Sequence, residues 1–206
     1  MEIGLFGGTF DPPHLGHLTL AKDFYKESGL DLLIVMPSYI PPHKDNPGTD
    51  ALSRLEMTRL NFSYLDGENI NYVISSYEID KRDVSYTVDT VMHLKNMYNV
   101  GKLNLCIGSD MLLCFEKWKN YEKILQNCRL FSKERMSGEY DKLRAYADYL
   151  ADKYGAVIQI MKSEAIEVSS TSIRKHIQEY DQTKLISPAV ADYIKAHKLY
   201  GSRGYL

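Results

Sequence analysis

The sequence predicts an α/β fold, in which a parallel sheet carries helices on both faces. Short apolar segments of strand length alternate along the chain with segments whose apolar residues recur at helical spacing. Residues 31–36 form a nearly continuous apolar run, which is typical of a parallel strand buried on both faces. The stretches between successive apolar runs are long enough for a crossover helix, and this alternation predicts a parallel sheet.

The predicted elements follow one another in order along the chain. Strands are predicted at residues 2–6, 31–36, 71–79, 103–107, 128–132 and 156–161. Helices are predicted at about 14–28, 50–65, 86–98, 111–125 (as one or two short helices) and 139–154, then just after Ser169-Ser170-Thr171 and from Pro188. Gly29 suits the end of the first helix, and Pro188 suits the first turn of the last one. We expect one domain over residues 1–200, with a small C-terminal helical portion from about 169 and a frayed tail at 201–206.

Composition and charge exclude several classes of protein. The chain has 206 residues, with 25 basic and 27 acidic side chains and a net charge of −2. This balance and the lack of a basic block argue against a nucleic-acid partner. The longest apolar run is far shorter than the ~20 residues that span a bilayer, so we expect no membrane association.

The N-terminus and the cysteines predict a cytoplasmic protein. Met1-Glu2-Ile3 does not begin a basic region followed by an apolar stretch, which is the pattern of a secretory signal. The three cysteines are an odd number without a C-x-x-C spacing. We therefore expect buried or half-buried free thiols in a reducing compartment. The sequence also allows a homo-oligomer, without fixing the number of subunits.

The most informative segment is Gly7-Gly8-Thr9-Phe10-Asp11-Pro12-Pro13-His14-Leu15-Gly16-His17, directly after the first predicted strand. Its first two glycines allow a tight turn and a close approach of the backbone to a ligand. The helix that follows offers unpaired N–H groups to an anion. His14 and His17 lie on one face of that helix. Gly16 costs about 1 kcal/mol of helix stability relative to alanine, which a chain tolerates where something must lie against the backbone.

Three interpretations of this segment compete. It is a glycine-rich turn with incidental histidines, a metal site made from His14, His17 and Asp11, or a phosphate cradle in which the imidazoles donate hydrogen bonds. A fixed pattern of six residues, each at about 5% usage, arises by chance at roughly one in 10⁷–10⁸ positions, which disfavours the first. The second lacks cysteine or acidic ligands at the usual spacing. We favour the phosphate cradle and expect no metal site built by the protein.

A second polar cluster lies late in the chain, at Val168-Ser169-Ser170-Thr171-Ser172-Ile173-Arg174. Its hydroxyl groups stand at the start of a helix, and the guanidinium of Arg174 offers several donors to a phosphate. Taken alone, such a cluster is more often a capped helix start with a surface arginine. Because the first motif also predicts an anion site, we expect Ser170, Thr171 and Arg174 to face the same polyphosphate as the two histidines.

These two motifs resemble the signatures of the nucleotidylyltransferase superfamily of the T/H-x-G-H type, which has a Rossmann-like, doubly wound parallel sheet. Within it, the chain from Gly4 to Tyr200 is similar to the bacterial nicotinate-nucleotide adenylyltransferases. The matching middle segments are Pro41-Pro42-His43-Lys44, Ser85-Tyr86-Thr87-Val88-Asp89-Thr90, Gly108-Ser109-Asp110, Phe115 and Trp118. Two departures stand out: Lys119 replaces an aromatic residue found in many members, and residues 133–137 match the Arg-Pro-Gly loop only loosely, which leaves Arg135 unassigned.

The resemblance implies an enzyme that joins ATP to nicotinate mononucleotide, giving deamido-NAD and pyrophosphate, with Mg²⁺ bound alongside ATP. The residues implied in ATP binding are Gly7, Gly8, Thr9, Phe10, His14, His17, Gly108, Asp110, Ser170, Thr171 and Arg174. Among these, the implied catalytic residues are His14, His17 and Arg174.

The same resemblance places Lys44, Thr87 and Trp118 at the mononucleotide. The residues themselves agree with this placement: Thr87 opens a predicted helix that Ser85 is placed to cap, and unpaired N–H groups there favour a carboxylate. Trp118, the only tryptophan, lies in a polar stretch and suits stacking on a flat ring. Without the resemblance, the alternatives are an ordinary capped helix at Thr87, a core tryptophan at Trp118 and a solvated lysine at Lys44.

The sequence leaves two alternative functions, another nucleotidylyltransferase and a non-catalytic module. Phosphopantetheine adenylyltransferases and cytidylyltransferases share the first motif, but they are typically shorter and lack the Ser-Tyr-Thr-x-Asp-Thr and tryptophan segments. A non-catalytic nucleotide-sensing module on the same fold is disfavoured by the presence of both histidines and Arg174.

Overall fold

The protein is built on a parallel β-sheet. A computed structural model describes residues 1–42, 48–162, 168–177 and 185–201. The strands in these ranges are Ile3–Gly8 (β1), Leu32–Pro37 (β2), Tyr72–Ile74 (β3), Leu103–Gly108 (β4), Cys128–Lys133 (β5) and Val157–Met161 (β6). They form one sheet in the order β3-β2-β1-β4-β5-β6, and every neighbouring pair is parallel. The predicted Rossmann-like, doubly wound α/β fold is confirmed.

Helices connect the strands. Within the described ranges they are Leu15–Ser28 (α1), Ala51–Phe62 (α2), Tyr77–Lys81 (α3), Thr87–Tyr98 (α4), Ser109–Leu112 (α5), Tyr121–Asn127 (α6), Tyr140–Tyr154 (α7), Ser170–His176 (α8) and Pro188–Ala196 (α9). Short 3₁₀ turns lie at Ser63–Leu65, Phe115–Lys117 and Leu199–Gly201. None of these helices combines the length and the apolar character that crossing a bilayer requires.

The core lies in two layers, one on each face of the sheet. Successive residues of a strand point to opposite faces, and both are buried here. Leu5 of β1 belongs to the layer covered by α4 and α7, whereas Phe6 belongs to the layer covered by α1 and α2. The three cysteines are free thiols, as expected: Cys106 and Cys128 are buried, and Cys114 is half-buried.

A third apolar cluster holds the C-terminal helices against α2. Its members are Met57, Val168, Ile173, Ile186, Val190, Ala191 and Ile194. This packing brings the start of α8 to the start of α1, although the two helices are far apart in sequence. Residues 202–206 of the expected tail lie outside the described residues, and the single-domain boundary at residue 200 stays a prediction.

The strand predicted at 71–79 is wrong over most of its length. β3 covers only Tyr72–Ile74, and α3 occupies Tyr77–Lys81. The adjacent residues Glu78 and Ile79 are both buried, at 8% and 5% exposed. An edge strand directs neighbouring side chains to opposite sides, whereas a helical turn lets both face the protein.

Three smaller expectations are also corrected. The second helix ends at Phe62 rather than near residue 65. Helical spacing predicts Leu52 on the same side as Leu55 and Phe62, but Leu52 is 68% exposed whereas the other two are buried. Ser170 and Thr171 lie inside α8 rather than before it, because Ser169 is the N-cap and accepts a hydrogen bond from the N–H of Ser172 at 3.0 Å.

Candidate active site

The candidate site lies at the carboxyl ends of β1 and β4. The chain runs from β1 outward to β2 and β3 on one side, and from β4 outward to β5 and β6 on the other. The crossover helices therefore diverge between β1 and β4, and this reversal opens a crevice beyond the strand ends.

The turn after β1 depends on the packing of Phe10. Its ring is 1% exposed and lies against Phe6 and Phe62, with centroid distances of 5.6 and 6.0 Å. Phe10 has a φ of 49°, so a phenylalanine rather than a glycine adopts the left-handed conformation here. Gly8 ends β1 and leaves room for that ring, since a Cβ on Gly8 would lie 2.8 Å from it. With the ring buried, Phe10 has only its main chain to offer a ligand.

His14 and His17 form a stacked pair at the start of α1. Their ring centroids are 3.7 Å apart, and the N–H of His14 donates to Nδ1 of His17 at 3.1 Å. An Nδ1 that accepts a hydrogen bond carries no proton, so the neutral ring of His17 carries its proton on Nε2. His17, one of the two histidines predicted to donate to phosphate, is thus held in the tautomer that donates from Nε2.

His14 is a neutral imidazole in the folded protein. It is 6% exposed, and its Nδ1 makes no hydrogen bond to any residue that the structure describes. Burial, together with the nearby positive charge of Arg135, lowers the pKa of His14 to about 3. With no anion bound, the ring is therefore uncharged at neutral pH.

The early and late motifs meet at this crevice. Oγ of Ser170 donates to the carbonyl oxygen of Pro12 at 2.8 Å, and Nη1 of Arg174 donates to the carbonyl oxygen of Asp11 at 2.6 Å. The close approach of the two motifs also explains why residue 16 is a glycine, because a Cβ at this position would lie 2.5 Å from Cγ1 of Val168. The structure therefore brings the two histidines and the late hydroxyl and guanidinium groups to one place.

Asp11 binds three segments together. Its carboxylate is 3% exposed and accepts hydrogen bonds from the hydroxyl of Tyr200 at 2.6 Å and from the N–H of Gly48 at 3.2 Å. Nη1 of Arg174 lies 3.8 Å from the same carboxylate. These partners make Asp11 part of the scaffold. In the described ranges, no group of three or more His, Cys, Asp or Glu side chains is arranged to hold a metal ion.

The end of β4 contributes Gly108 and Asp110 to the crevice. A Cβ on Gly108 would lie 2.7 Å from Oδ1 of Asp110, whose side chain is exposed. Nη1 of Arg135 lies 4.0 Å from Oδ2 of Asp110, and Nε and Nη2 of Arg135 donate to the carbonyl oxygen of Val168 at 3.2 and 2.9 Å. Arg135, left unassigned by the sequence, therefore joins the β4 loop to the late motif and is a further candidate residue.

The first turn of α4 is free of a side-chain cap. Thr87 is its first residue, and the N-cap Tyr86 makes no side-chain hydrogen bond to it. The prediction that Ser85 caps this helix is wrong, because its Oγ accepts instead from the N–H of Tyr39 at 2.9 Å. The first N–H groups of α4 therefore have no competing side chain at the N-cap, as a carboxylate site requires.

Trp118 and Thr87 lie on adjoining segments. The half-buried indole of Trp118 packs against Phe115 with ring centroids 5.0 Å apart. Nζ of Lys119 lies 3.8 Å from the centroid of the Tyr86 ring, which places the tryptophan segment beside the start of α4. This contact also gives the unusual Lys119 a partner. The third residue expected at the acceptor, Lys44, lies outside the described residues.

Comparisons with known proteins identify the family. The Cytidylyltransferase-like family model matches residues 5–176. A protein from Clostridium botulinum named "Probable nicotinate-nucleotide adenylyltransferase" is 36% identical over 201 residues, covering 97% of this chain and 98% of that protein. The chain belongs to the nicotinate-nucleotide adenylyltransferase family. A second relative of that name, from Neisseria meningitidis, is 33% identical over 204 residues and covers 97% of this chain and 98% of its own.

Solved structures show the same fold at greater sequence distance. The nicotinic acid mononucleotide adenylyltransferase of Plasmodium falciparum, complexed with NaAD, superposes with a TM-score of 0.76. It is 18% identical, and the match covers 98% of both chains. The family relationship and the shared fold thus both extend over nearly the whole chain.

Proposed function

We propose that the protein transfers AMP from ATP to nicotinate mononucleotide, giving deamido-NAD and pyrophosphate. The observation that carries this proposal is the meeting of the two motifs, where Ser170 contacts Pro12, Arg174 contacts Asp11 and Val168 packs on Gly16. Curated relatives that carry this activity in their names, at 33–36% identity over nearly the full length, support the choice of reaction.

The chemistry needs no covalent enzyme intermediate. An oxygen of the mononucleotide phosphate attacks the α-phosphorus of ATP, the bond between that phosphorus and the bridging oxygen breaks, and pyrophosphate leaves with the electron pair. The nucleophile is already anionic, so catalysis consists of positioning the two substrates and stabilising charge on the phosphate oxygens.

The residues around the β1 turn supply that stabilisation. His14 and His17 donate hydrogen bonds to the α- and β-phosphates, while Gly7, Gly8 and Thr9 line the turn. Ser170, Thr171 and Arg174 hold the triphosphate tail. Arg174 is already oriented by its bonds to the carbonyl of Asp11 at 2.6 Å and to Oγ1 of Thr171 at 3.4 Å, which leaves other guanidinium donors for phosphate. Gly108 and Asp110 contact the nucleoside part of ATP.

A magnesium ion would be held mainly by the nucleotide. Mg²⁺ prefers oxygen ligands and keeps several waters, so the phosphates of ATP would bind it with few protein ligands. Asp11, the carboxylate of the β1 turn, is already bound by Tyr200, Gly48 and Arg174, so the ligands of the ion would come mainly from the ATP phosphates and water. When bound, the ion neutralises part of the charge on the phosphates.

The acceptor is held at α4 and Trp118. Thr87 and the first N–H groups of α4 bind the nicotinate carboxylate, and Trp118 stacks on the pyridine ring. We expect Lys44 to bind the mononucleotide phosphate. We also place the reaction in the cytoplasm, where the three free thiols persist.

A substrate panel tests the proposed reaction. Purified protein is mixed with Mg-ATP and, in separate reactions, nicotinate mononucleotide, nicotinamide mononucleotide and phosphopantetheine, and with CTP in place of ATP. We expect pyrophosphate release and the mass of deamido-NAD with the nicotinate form. Because a carboxylate gains more than an amide from the start of α4, kcat/KM should favour the acid by about tenfold or more. A higher kcat/KM for nicotinamide mononucleotide contradicts the carboxylate site. Pyrophosphate release only with another acceptor, or only with CTP, contradicts the proposed reaction.

Removing the indole tests the acceptor site separately. Trp118→Ala should raise KM for nicotinate mononucleotide by about tenfold, since stacking on a flat base contributes about 1–3 kcal/mol. KM for ATP should change far less. Steady-state kinetics with each substrate varied in turn measure both values, and Tyr64→Ala, which removes an aromatic side chain that is 46% exposed, is the matched control. Equal effects on the two KM values would remove Trp118 from the acceptor site.

A further inference from the structure

Arg54 is a buried arginine at the edge of the candidate site, and nothing in the sequence patterns singled it out. It lies in the first turns of α2 and is 1% exposed, although an arginine is seldom fully buried. All the hydrogen bonds that it donates to described residues end on main-chain carbonyl oxygens. The acceptors are Thr9 at 2.8 Å, Ser38 at 2.6 Å, Tyr39 at 2.8 Å and Thr49 at 3.2 Å.

These carbonyls belong to segments that surround the crevice. Thr9 is in the phosphate turn after β1, Ser38 and Tyr39 follow β2, and Thr49 precedes α2. Carbonyl groups at the carboxyl ends of parallel strands repel an anion if they are left facing it. The guanidinium engages them from the protein side, and its planar group of donors fixes their relative positions.

The contacts continue from Tyr39 to the acceptor side. The N–H of Tyr39 donates to Oγ of Ser85 at 2.9 Å, and the N–H of Ser85 donates to the carbonyl oxygen of Ile40 at 2.9 Å. Ser85 stands two residues before Thr87, the first residue of α4. A connected set of contacts therefore runs from Thr9 through Arg54 and the main chain of Tyr39 to Ser85, two residues before α4.

Burial alone does not account for a guanidinium in this place. Desolvation lowers the pKa of Arg54, and the negative charge of Asp11 opposes that effect. A large apolar side chain would fill much of this volume without that cost, but it could not hold carbonyls from separate loops.

We propose that Arg54 is a positioning residue that sets the spacing between the ATP half and the acceptor half of the site. The inference rests on the proposed AMP transfer and deepens it. In-line attack depends on the distance between two separately bound substrates, and an error of about 1 Å in such a distance costs on the order of 10²-fold in rate. Each half is built mainly by its own residues, so each substrate still binds when the spacing is lost.

Arg54→Lys is the first variant, because it keeps the charge and loses the planar group of donors. We expect kcat to fall by about 10²-fold, while the Kd of ATP and the Kd of nicotinate mononucleotide each stay within about threefold of the unsubstituted protein. Isothermal titration with each substrate alone gives both Kd values and the binding stoichiometry. An unchanged stoichiometry shows that the loss of rate is not a loss of folded protein. Arg59→Lys, on the exposed face of the same helix, is the matched control and should leave kcat unchanged.

Arg54→Gln is the second variant, since it keeps a planar donor group but is shorter and carries no charge. A folded Arg54→Lys or Arg54→Gln protein with kcat within about threefold overturns the spacing role. A loss of activity confined to KM also overturns the spacing role, as does a fall in binding stoichiometry that matches the fall in rate. If neither variant folds, the residue serves the fold itself and the proposal is overturned. Failure of the unsubstituted protein to form deamido-NAD would instead contradict the proposed function.

Discussion

Replacing His17 with alanine should lower kcat by about 10²–10⁴, with a small effect on folding. The structure gives the reason: the N–H of His14 occupies Nδ1 of His17 at 3.1 Å and so places the proton of the neutral ring on Nε2. A donor oriented before the substrate arrives needs no rearrangement as charge develops on the phosphate oxygens. Alanine removes that donor, and water in its place must be oriented during the reaction.

Initial rates of pyrophosphate release at saturating ATP and nicotinate mononucleotide measure this effect, with thermal unfolding monitored in parallel. His197→Ala is a suitable control, because this exposed histidine lies at the end of α9 and stacks on Tyr193. A kcat for His17→Ala within about threefold of the unsubstituted protein would show that His17 does not donate to the phosphates.

Gly16→Ala should also lower activity, although it adds a single methyl group and favours the helix. The added carbon would lie 2.5 Å from Cγ1 of Val168, and a short β-branched side chain cannot rotate away from it. The segment from Val168 to Arg174 must then move off α1. We expect kcat/KM for ATP to fall by about 10–10²-fold, because the late donors leave the triphosphate.

A double-mutant cycle identifies the cause. Val168→Ala removes the colliding carbon, so the combined Gly16→Ala and Val168→Ala protein should recover most of the lost kcat/KM. Gly101→Ala serves as the control, since a Cβ there has nothing within 4 Å. If the two effects simply add, the damage at Gly16 does not act through Val168.

The fold could be predicted from the sequence wherever periodicity and burial agree. β2 is such a case, with an apolar run that is buried along its length. The strand predicted at 71–79 failed because apolar and β-branched residues at an edge suit either a strand or a helical turn. There the buried contact of Glu78 with the hydroxyl of Thr90, at 2.6 Å, accompanies the helix. That contact joins residues on two different helices, so no local sequence pattern predicts it.

Some residues of the candidate site could be predicted from the sequence, and others could not. His14, His17 and Arg174 stand in motifs whose residue types show their chemistry directly. Arg54 and Arg135 bind main-chain carbonyls across the fold, and any residue type can supply a carbonyl. Such contacts leave no pattern in the partner's sequence, so only the structure reveals them.

The bond between Tyr200 and Asp11 has a consequence for synthesis on the ribosome. The two residues are separated by 189 positions, and the hydroxyl of one completes the surroundings of the carboxylate of the other. A nascent chain can pair β1 with β2 long before Tyr200 leaves the exit tunnel. The surroundings of the Asp11 carboxylate are therefore completed only after Tyr200 has emerged, and a chain released before that point would carry a formed sheet without this bond.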